Sequence, residues 1–466
     1  MCRIAVIDIV ALTGKLLGND TPSILEFSKK GSLAAINPAF PALTCSAQAN
    51  YLTGVYPQTH GIVGNGWYDR DLAEHLFWKQ SNKLVQTKKI YDELKETTTN
   101  FTCAKLFWWF NMYSNVDYSI TPRPIYPADG RKIPDIYTNP YSIRNDITND
   151  IGRFPFQTFW GPLAGKNSKI GSADAASRWI AKAAMWIEEK YKPTLNLIYL
   201  PHLDYNLQRH GPNSPLIKED LKQIDSIVGE LIAFFKTKNV SPIILSEYGI
   251  SEVKKTIFLN RLFRKKGWLA IKDELGTEKL DAGASKAFAI SDHQIAHIYI
   301  NDSSITNEIK DLILQQEGIK SVLNESAKQD RKISHQRAGD LIAVAENDAW
   351  FCYYYWFDDN VAPDFARTVD IHRKPGYDPL ELFLDESSRF TQTKLALRIL
   401  QNKLGFRALF DVVSLNPNLI KGSHGGFYTD IIDFPLIITE HHGLLDSKII
   451  ESTDVYQIIK NSILNS

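Results

Sequence analysis

The chain contains 466 residues, enough for one large α/β domain with insertions or for about three smaller units. A hydrophobic content of 44% and a charged content of 23% are typical of a globular protein with a large core, and they exclude wholesale disorder. Lysine plus arginine and aspartate plus glutamate each total 53, so the formal net charge is zero. This balance argues against a broad polyanion-binding surface and is still compatible with a local basic pocket, so we expect no nucleic-acid polymer as a partner.

Cysteine usage and hydropathy indicate where the protein resides. The four cysteines are scattered without Cys-x-x-Cys pairs, which is typical of neither a disulfide framework nor a zinc ribbon. The N-terminal apolar run is short and is interrupted by Asp8, unlike a secretion signal. No stretch reaches the roughly 20 apolar residues of a membrane span. We therefore expect a cytoplasmic protein that does not enter a membrane; its oligomeric state is not indicated.

Apolar and amphipathic stretches alternate along the chain. Residues 3–10 form a short apolar run rich in isoleucine and valine, which predicts a buried strand. Farther on, the pattern predicts a helix, a strand, a polar loop, a second helix and a second strand, over 173–192, 195–200, 201–215, 216–238 and 242–245. This alternation favours a mainly parallel sheet flanked by helices.

Segments of different composition suggest a division of the chain. Residues 101–165 mix aromatic residues with prolines, which predicts a loop-rich insertion packed on its own aromatic side chains, or alternatively a wall for an aromatic substrate group. We expect 1–255 to form the first part of an α/β core, 256–345 a cap or insertion, and 346–466 the remainder of the core.

Three carboxylates stand at or just after the ends of predicted strands. They are Asp8, Asp204 and Glu247. In parallel α/β sheets, ligands gather beyond the carboxyl ends of the strands. The coincidence predicts a functional site at that edge of the sheet.

Thr44 lies in the densest motif of the chain, between Asn37 and Asn65. Prolines 38 and 41 enforce an extended approach, and Thr44 then falls at a predicted helix start. A hydroxyl in that position is close to oriented N–H groups that bind anions and phosphoryl oxygens. The residues alone leave two interpretations open: Thr44 is a nucleophile, or it only caps the helix.

Residues 38–65 resemble the nucleophile region of the nucleotide pyrophosphatase/phosphodiesterase family, within the alkaline phosphatase superfamily. There a threonine that follows an extended Pro-x-Phe-Pro stretch attacks phosphorus, and a Pro-x-x-His-Gly-Ile segment leads to an asparagine that holds a phosphoryl oxygen. Thr44 and Asn65 occupy these two positions. The resemblance implies an alkaline-phosphatase-like core with a mainly parallel central sheet and inserted cap segments.

The resemblance also implies a metal centre with two ions. The corresponding ligand positions in this chain are Asp8, Thr44, Asp204, Gln208, Glu247, Tyr248 and His424. Gln208 stands where the family has histidine, and Glu247-Tyr248 stands where it has Asp-His. Oxygen donors thus replace imidazoles, which favours manganese, magnesium or ferric iron over zinc. Three alternatives stay open: an enzyme with harder metals, a one-metal enzyme, or a protein that binds without catalysis.

Further histidines are candidates for the missing ligands. His210 follows Asp204 by six residues, whereas His293 and His297 are four apart and fall on one side of a helix or a strand. His372 precedes two basic residues and is also a candidate for phosphate binding. His210 and His293 are the strongest candidates, with a hydrogen-bonded structural histidine as the alternative at each position.

Together these features predict a hydrolase that uses one or two divalent metal ions, manganese, magnesium or zinc. It would cleave phosphodiester or pyrophosphate bonds of a small phosphorylated substrate through Thr44 and a phospho-enzyme intermediate. The alternatives are a phosphomonoesterase or phosphonate hydrolase on the same scaffold, and a non-catalytic binder of phosphorylated metabolites.

Overall fold

The fold is built on a nine-stranded central sheet. The structure is a computed structural model that describes residues 1–169, 171–385, 411–441, 443–445 and 447–464, together with 397, 398, 400, 401 and 409. In spatial order the strands are Ile449–Glu451, Ser32–Asn37, Leu436–Thr439, Val240–Leu245, Arg3–Ile9, Leu195–Leu200, Cys103–Leu106, Tyr118–Pro122 and Ile136–Asn139. The central pairs are parallel, whereas Leu436–Thr439 runs antiparallel to both of its neighbours. The α/β prediction is confirmed, with a sheet that is mixed.

Helices cover this sheet because its central strands are apolar throughout. In Arg3–Ile9 every residue after Arg3 is buried, and Leu195–Leu200 is buried at every position. The α-helices are Pro22–Lys30, Thr44–Thr53, Pro57–His60, Ile90–Thr97, Ile143–Ile151, Ala175–Tyr191, His202–His210, Lys218–Thr237, Leu259–Lys265, Thr306–Leu314, Glu325–Asp330 and Asp454–Leu464. In the ranges that the structure describes, none is long and apolar enough to cross a membrane.

Two sequence expectations about secondary structure are wrong. The stretch 101–165 is not only a loop-rich insertion, because three of its short segments are strands of the central sheet. Its aromatic residues do pack on one another, as Phe107, Phe154 and Phe159 show. The predicted polar loop 201–215 instead contains the helix His202–His210, whose polar composition is typical of a loop although every residue but His210 is buried.

A second sheet follows the first part of the core. Its four antiparallel strands lie in the order Ala287–Asp292, Ile295–Ile300, Leu341–Ala345 and Ile319–Leu323, inside the segment 256–345. It has its own hydrophobic core. Four smaller strand pairs join Tyr68–Asp69 to Glu74–His75, Ser251–Glu252 to Gly422–Ser423, Lys255–Ile257 to Ala349–Phe351, and Ala270–Glu274 to Thr277–Asp281. The tight turn after Asp292 brings this sheet to the edge of the central one, where the candidate site lies.

Candidate active site

The predicted site residues converge at one edge of the central sheet. Asp8 pairs in register with Tyr199 on one neighbouring strand and with Leu245 on the other. Asp204 and Glu247 follow these two neighbouring strands directly, so all three carboxylates are brought to the same edge. Each of them is buried.

Thr44 is the first residue of the helix Thr44–Thr53. The N-cap is Leu43, and no side chain caps this end, so the interpretation of Thr44 as a mere cap is wrong. The Thr44 hydroxyl lies 3.3 Å from the Tyr248 hydroxyl. Its side chain lines an open cleft. The arrangement exposes a buried hydroxyl to anything bound in that cleft.

Gln48 bridges the two carboxylates next to Thr44. Its Nε2 donates to Glu247 at 2.7 Å and to Asp8 at 3.5 Å, while its Oε1 accepts from the backbone N–H of Trp109 at 2.7 Å. Burial and the neighbouring negative charge raise the pKa of Asp8, and burial raises that of Glu247. Asp8 Oδ1 and Glu247 Oε2 are buried without a partner among the described residues. Sequence reasoning missed Gln48, although it lies four residues after Thr44 on the same helix face.

The Asp204 side of the site is closed by hydrogen bonds. Gln208 Nε2 donates to Asp204 Oδ2 at 2.7 Å, and the Tyr248 hydroxyl donates to Oδ1 at 3.2 Å. Gln208 Oε1 accepts from the Tyr377 hydroxyl at 3.0 Å, which fixes the orientation of the amide. Burial raises the pKa of Asp204 to about 7 and that of Tyr248 well above its usual value, so the tyrosine keeps its proton. Tyr377 was not predicted as a site residue.

His424 completes this side as a neutral imidazole. Its Nδ1 lies 2.8 Å from the carbonyl oxygen of Ala42, and burial lowers its pKa to about 3. The ring stacks on Tyr248 with 3.5 Å between centroids and contacts the ring of His293 at 3.7 Å. The histidine thus stands between the tyrosine and a second imidazole.

The remaining histidine candidates occupy different surroundings. His293 lines the cleft, whereas His297 lies 3.1 Å from the carbonyl oxygen of Val63, away from it. The two therefore do not face one site together. His210 is exposed at the end of its helix, and His372 lines the cleft with its Nδ1 on the carbonyl oxygen of Phe77.

Asn65 is held from both ends of its side-chain amide. Its Oδ1 accepts from the backbone N–H of Cys45 at 3.1 Å, and its Nδ2 donates to Asp292 at 3.2 Å. Asp292 was missed by sequence reasoning, because nothing in its local sequence sets it apart from other strand-end aspartates.

The cleft above Thr44 has an empty volume of about 990 Å³, including its open mouth. Nine aromatic side chains line it: Trp78, Trp109, Phe156, Phe159, Trp160, Tyr199, Tyr205, Tyr248 and Tyr377. Arg123 and Lys132 add positive charge to the lining. Such a cavity suits a small ligand with an apolar or aromatic part and an anionic group.

The donor set fits only part of the two-metal centre that the resemblance implies. Across the described residues, no group of three or more His, Cys, Asp or Glu side chains is placed to hold a metal ion. The two unpartnered oxygens of Asp8 and Glu247, next to the Thr44 hydroxyl, nevertheless form an all-oxygen pair that a cation would neutralise. Asp204 offers no such vacancy, since both of its oxygens already accept hydrogen bonds. One half of the implied centre fits a cation and the other does not.

Comparisons with known proteins agree with this architecture. A model of the type I phosphodiesterase/nucleotide pyrophosphatase family matches residues 4–378. The chain is 24% identical over 253 residues to an uncharacterised pyrophosphatase/phosphodiesterase of Schizosaccharomyces pombe, a match covering 52% of this chain and 44% of that protein. It is 22% identical over 262 residues to human ectonucleotide pyrophosphatase/phosphodiesterase family member 1, covering 52% of this chain and 23% of the human protein. The matched part thus corresponds to less than half the length of either relative.

Solved structures show the same fold. Murine ectonucleotide pyrophosphatase/phosphodiesterase 5, in complex with AMP, superposes with a TM-score of 0.58 at 14% identity, over 100% of this chain and 95% of that one. Phosphonoacetate hydrolase from Sinorhizobium meliloti, in complex with phosphonoformate, superposes with a TM-score of 0.60 at 12% identity, over 99% and 96%. At these identities the likeness establishes the fold alone.

Proposed function

This chain belongs to the type I phosphodiesterase/nucleotide pyrophosphatase family, and we propose that it hydrolyses a phosphodiester or pyrophosphate bond of a small substrate with Thr44 as nucleophile. The observation that carries the proposal is the Thr44 hydroxyl, buried at a helix start on the floor of an open cleft. The helix start adds oriented N–H groups that favour a bound phosphoryl group.

Glu247 and Tyr248 are the groups that act on the nucleophile. The buried Glu247 carboxylate would accept the Thr44 proton as the oxygen attacks phosphorus. The Tyr248 hydroxyl keeps its proton, donates it to Asp204 and accepts from Thr44 Oγ1 at 3.3 Å, so it orients the nucleophile. The bond from phosphorus to the leaving alkoxide or phosphate breaks as the Thr44 oxygen attacks. Water would then hydrolyse the phospho-enzyme and release the phosphorylated product from Thr44.

Asp8, Glu247 and Thr44 would hold a single divalent cation. The two unpartnered carboxylate oxygens support this assignment, and an all-oxygen set favours magnesium or manganese over zinc. When bound, the cation would supply charge neutralisation for the phosphoryl oxygens and would lower the pKa of the Thr44 hydroxyl. Because the Asp204 half does not fit a metal, we propose one cation per chain and assign Gln208, Tyr248 and His424 to a hydrogen-bonded wall.

Asn65 and the cleft walls would hold the substrate. One N–H of the Asn65 amide is engaged by Asp292, which leaves the second for a phosphoryl oxygen. The aromatic walls leave room for a substituent that is not transferred, and this favours a diester or anhydride over a monoester. We also propose that the protein works in the cytoplasm, where its four free cysteines stay reduced.

The test compares bis(p-nitrophenyl) phosphate, p-nitrophenyl phosphate and phosphonoacetate as substrates with manganese present. We expect the diester to be hydrolysed fastest, and Thr44→Ala to abolish turnover while the protein stays folded. Thr53→Ala is the matched control, because Thr53 is buried in the same helix and its hydroxyl bonds to the backbone of Ala49 and Val55. Thr44→Ala with wild-type turnover would refute the assignment of Thr44 as nucleophile. Faster cleavage of the monoester or of phosphonoacetate would favour a phosphomonoesterase or a phosphonate hydrolase. Phosphate binding without turnover would indicate a non-catalytic binder.

A further inference from the structure

A buried aspartate from the second sheet lies beneath the site. Asp292 ends the strand Ala287–Asp292 and has no exposed surface. Its Oδ2 accepts from the backbone N–H of Asn65 at 2.8 Å, and its Oδ1 accepts from the Asn65 side-chain Nδ2 at 3.2 Å. Both carboxylate oxygens are therefore directed at one residue, 227 positions away in the chain.

The second hydrogen-bonding end of the Asn65 amide is held by the nucleophile's helix. The backbone N–H of Cys45, the residue after Thr44, donates to Asn65 Oδ1 at 3.1 Å. If the amide were rotated by half a turn, its oxygen would face the Asp292 carboxylate and its N–H groups would face the Cys45 N–H. Both contacts would be repulsive, so Asp292 and Cys45 together fix a single orientation.

The turn that carries Asp292 is itself anchored at two places. The backbone N–H of Gln294 donates to the carbonyl oxygen of His424 at 2.9 Å. The Gln294 side chain donates to the carbonyl oxygens of Asn347 and Ala349 at 3.0 and 3.1 Å. The Asp292 carboxylate is thus held against both the site and the second sheet.

We propose that Asp292 is a positioning residue that sets Asn65 so that its second N–H is available to a phosphoryl oxygen above Thr44. The inference rests on the proposed function, because it takes Asn65 as the donor to that oxygen. It gives the second sheet a role in the reaction: the sheet supplies the group that orients a donor belonging to the core.

The test is a double-mutant cycle on the full chain with Asn65→Ala, Asp292→Asn and the pair combined. Asp292→Asn keeps one acceptor oxygen and places an N–H donor against Asn65. The side-chain volume hardly changes, but the Asn65 amide is no longer held in a single orientation. Asp225→Asn is the matched control, because Asp225 is equally buried and accepts from the backbone N–H groups of Ser23 and Ile24, far from the cleft. The measurements are kcat and KM for bis(p-nitrophenyl) phosphate, the binding of inorganic phosphate by calorimetry, and the melting temperature.

We expect Asp292→Asn to lower kcat by up to about 100-fold with little change in KM. It should then have no further effect in the Asn65→Ala background, whereas Asp225→Asn lowers only the melting temperature. Losses in kcat that multiply in the double variant would overturn the proposal. If the wild type hydrolyses nothing but the phosphate-binding losses show the same coupling, the positioning role stands and the proposed function fails. A wild type that neither turns over nor binds phosphate overturns both.

Discussion

The hydrogen-bonded half of the site should become a metal site when its imidazoles are restored. In the double variant Gln208→His with Tyr248→His, both oxygens of Asp204 lose their donors and face two imidazoles and His424 instead. Nitrogen donors beside a carboxylate are the set that zinc prefers. We expect the wild type to bind one divalent cation per chain and the double variant to bind two, the second of them zinc.

The size of the effect follows from the bonds that are removed. Each hydrogen bond to a buried charged group contributes about 1–3 kcal/mol, so the metal-free double variant should unfold more easily by about 2–6 kcal/mol. Zinc at a concentration of about 100 times its Kd would restore about 2.7 kcal/mol, because it binds only the folded state. Urea unfolding of both proteins in chelator, zinc and manganese measures this difference, and elemental analysis counts the ions.

Turnover in metal-stripped protein gives a second measurement. Manganese or magnesium should support more activity than zinc in the wild type, and the double variant should shift toward zinc. The single variants are the controls, since each leaves one donor on Asp204 and should bind the second ion weakly. Two tightly bound zinc ions with full activity in the wild type would refute this reasoning, and His293→Ala and His210→Ala would then identify the additional ligand.

Two further variants probe the reacting half of the site. Asn65→Ala should lower kcat by about 10²–10³, the usual effect of losing one donor to transition-state charge, and unchanged kinetics would make Asn65 a turn residue only. Gln48→Leu removes the donor that bridges Asp8 and Glu247, so in chelator its free energy of unfolding should be about 2 kcal/mol lower than that of the wild type. When manganese is added, this difference between variant and wild type should become smaller. An equal loss in chelator and in manganese would argue against a cation between these carboxylates.

The parts of the site that could be predicted from sequence are those with a local signature. Asp8 and Glu247 could be found because each lies at or just after the end of a predicted strand, and the parallel pairing then brings them together. Thr44 could be found because prolines impose an extended approach to its helix. In each case the sequence within a few residues determines both the element and its end.

The parts that could not be predicted depend on pairing between distant segments. Asp292 contacts Asn65 across 227 residues of chain, a pairing that the local sequence of neither residue indicates. The polar composition of 201–215 predicts a loop, whereas His202–His210 is a helix whose polar residues are buried by tertiary contacts. The strands Cys103–Leu106 and Ile136–Asn139 are too short to show alternation, and the sheet rather than their composition defines them.

Two buried lysines with opposite surroundings allow one more prediction. Lys105 donates to the carbonyl oxygen of Phe110 at 3.0 Å and forms no ion pair among the described residues. Burial lowers its pKa from 10.5 to about 7. Lys374 is equally buried, but Asp378 and Glu381 lie at 2.7 and 2.8 Å, and despite the opposing effect of burial they raise its pKa.

The contribution of Lys105 to stability changes with pH in the opposite direction to that of Lys374. Between about pH 7 and 10.5 the unfolded chain binds the Lys105 proton and the folded chain does not, so this group makes stability rise with pH. Below pH 7 both states carry the proton, and burial of the Lys105 ammonium then destabilises the folded state by its full amount, at most about 5 kcal/mol. Lys105→Met should therefore stabilise the protein by about 1–4 kcal/mol at pH 6–7, and this stabilisation should disappear toward pH 10. The substitution leaves no unpaired carbonyl, because the Phe110 carbonyl oxygen still accepts from the Asn82 amide. Lys374→Met should instead cost about 3–5 kcal/mol, since it leaves two buried carboxylates unpaired. Urea unfolding from pH 6 to 9.5 measures the free energy of unfolding of both variants. A Lys105→Met protein that is less stable than the wild type at pH 6.5 would show that the buried Lys105 ammonium does not destabilise the folded state.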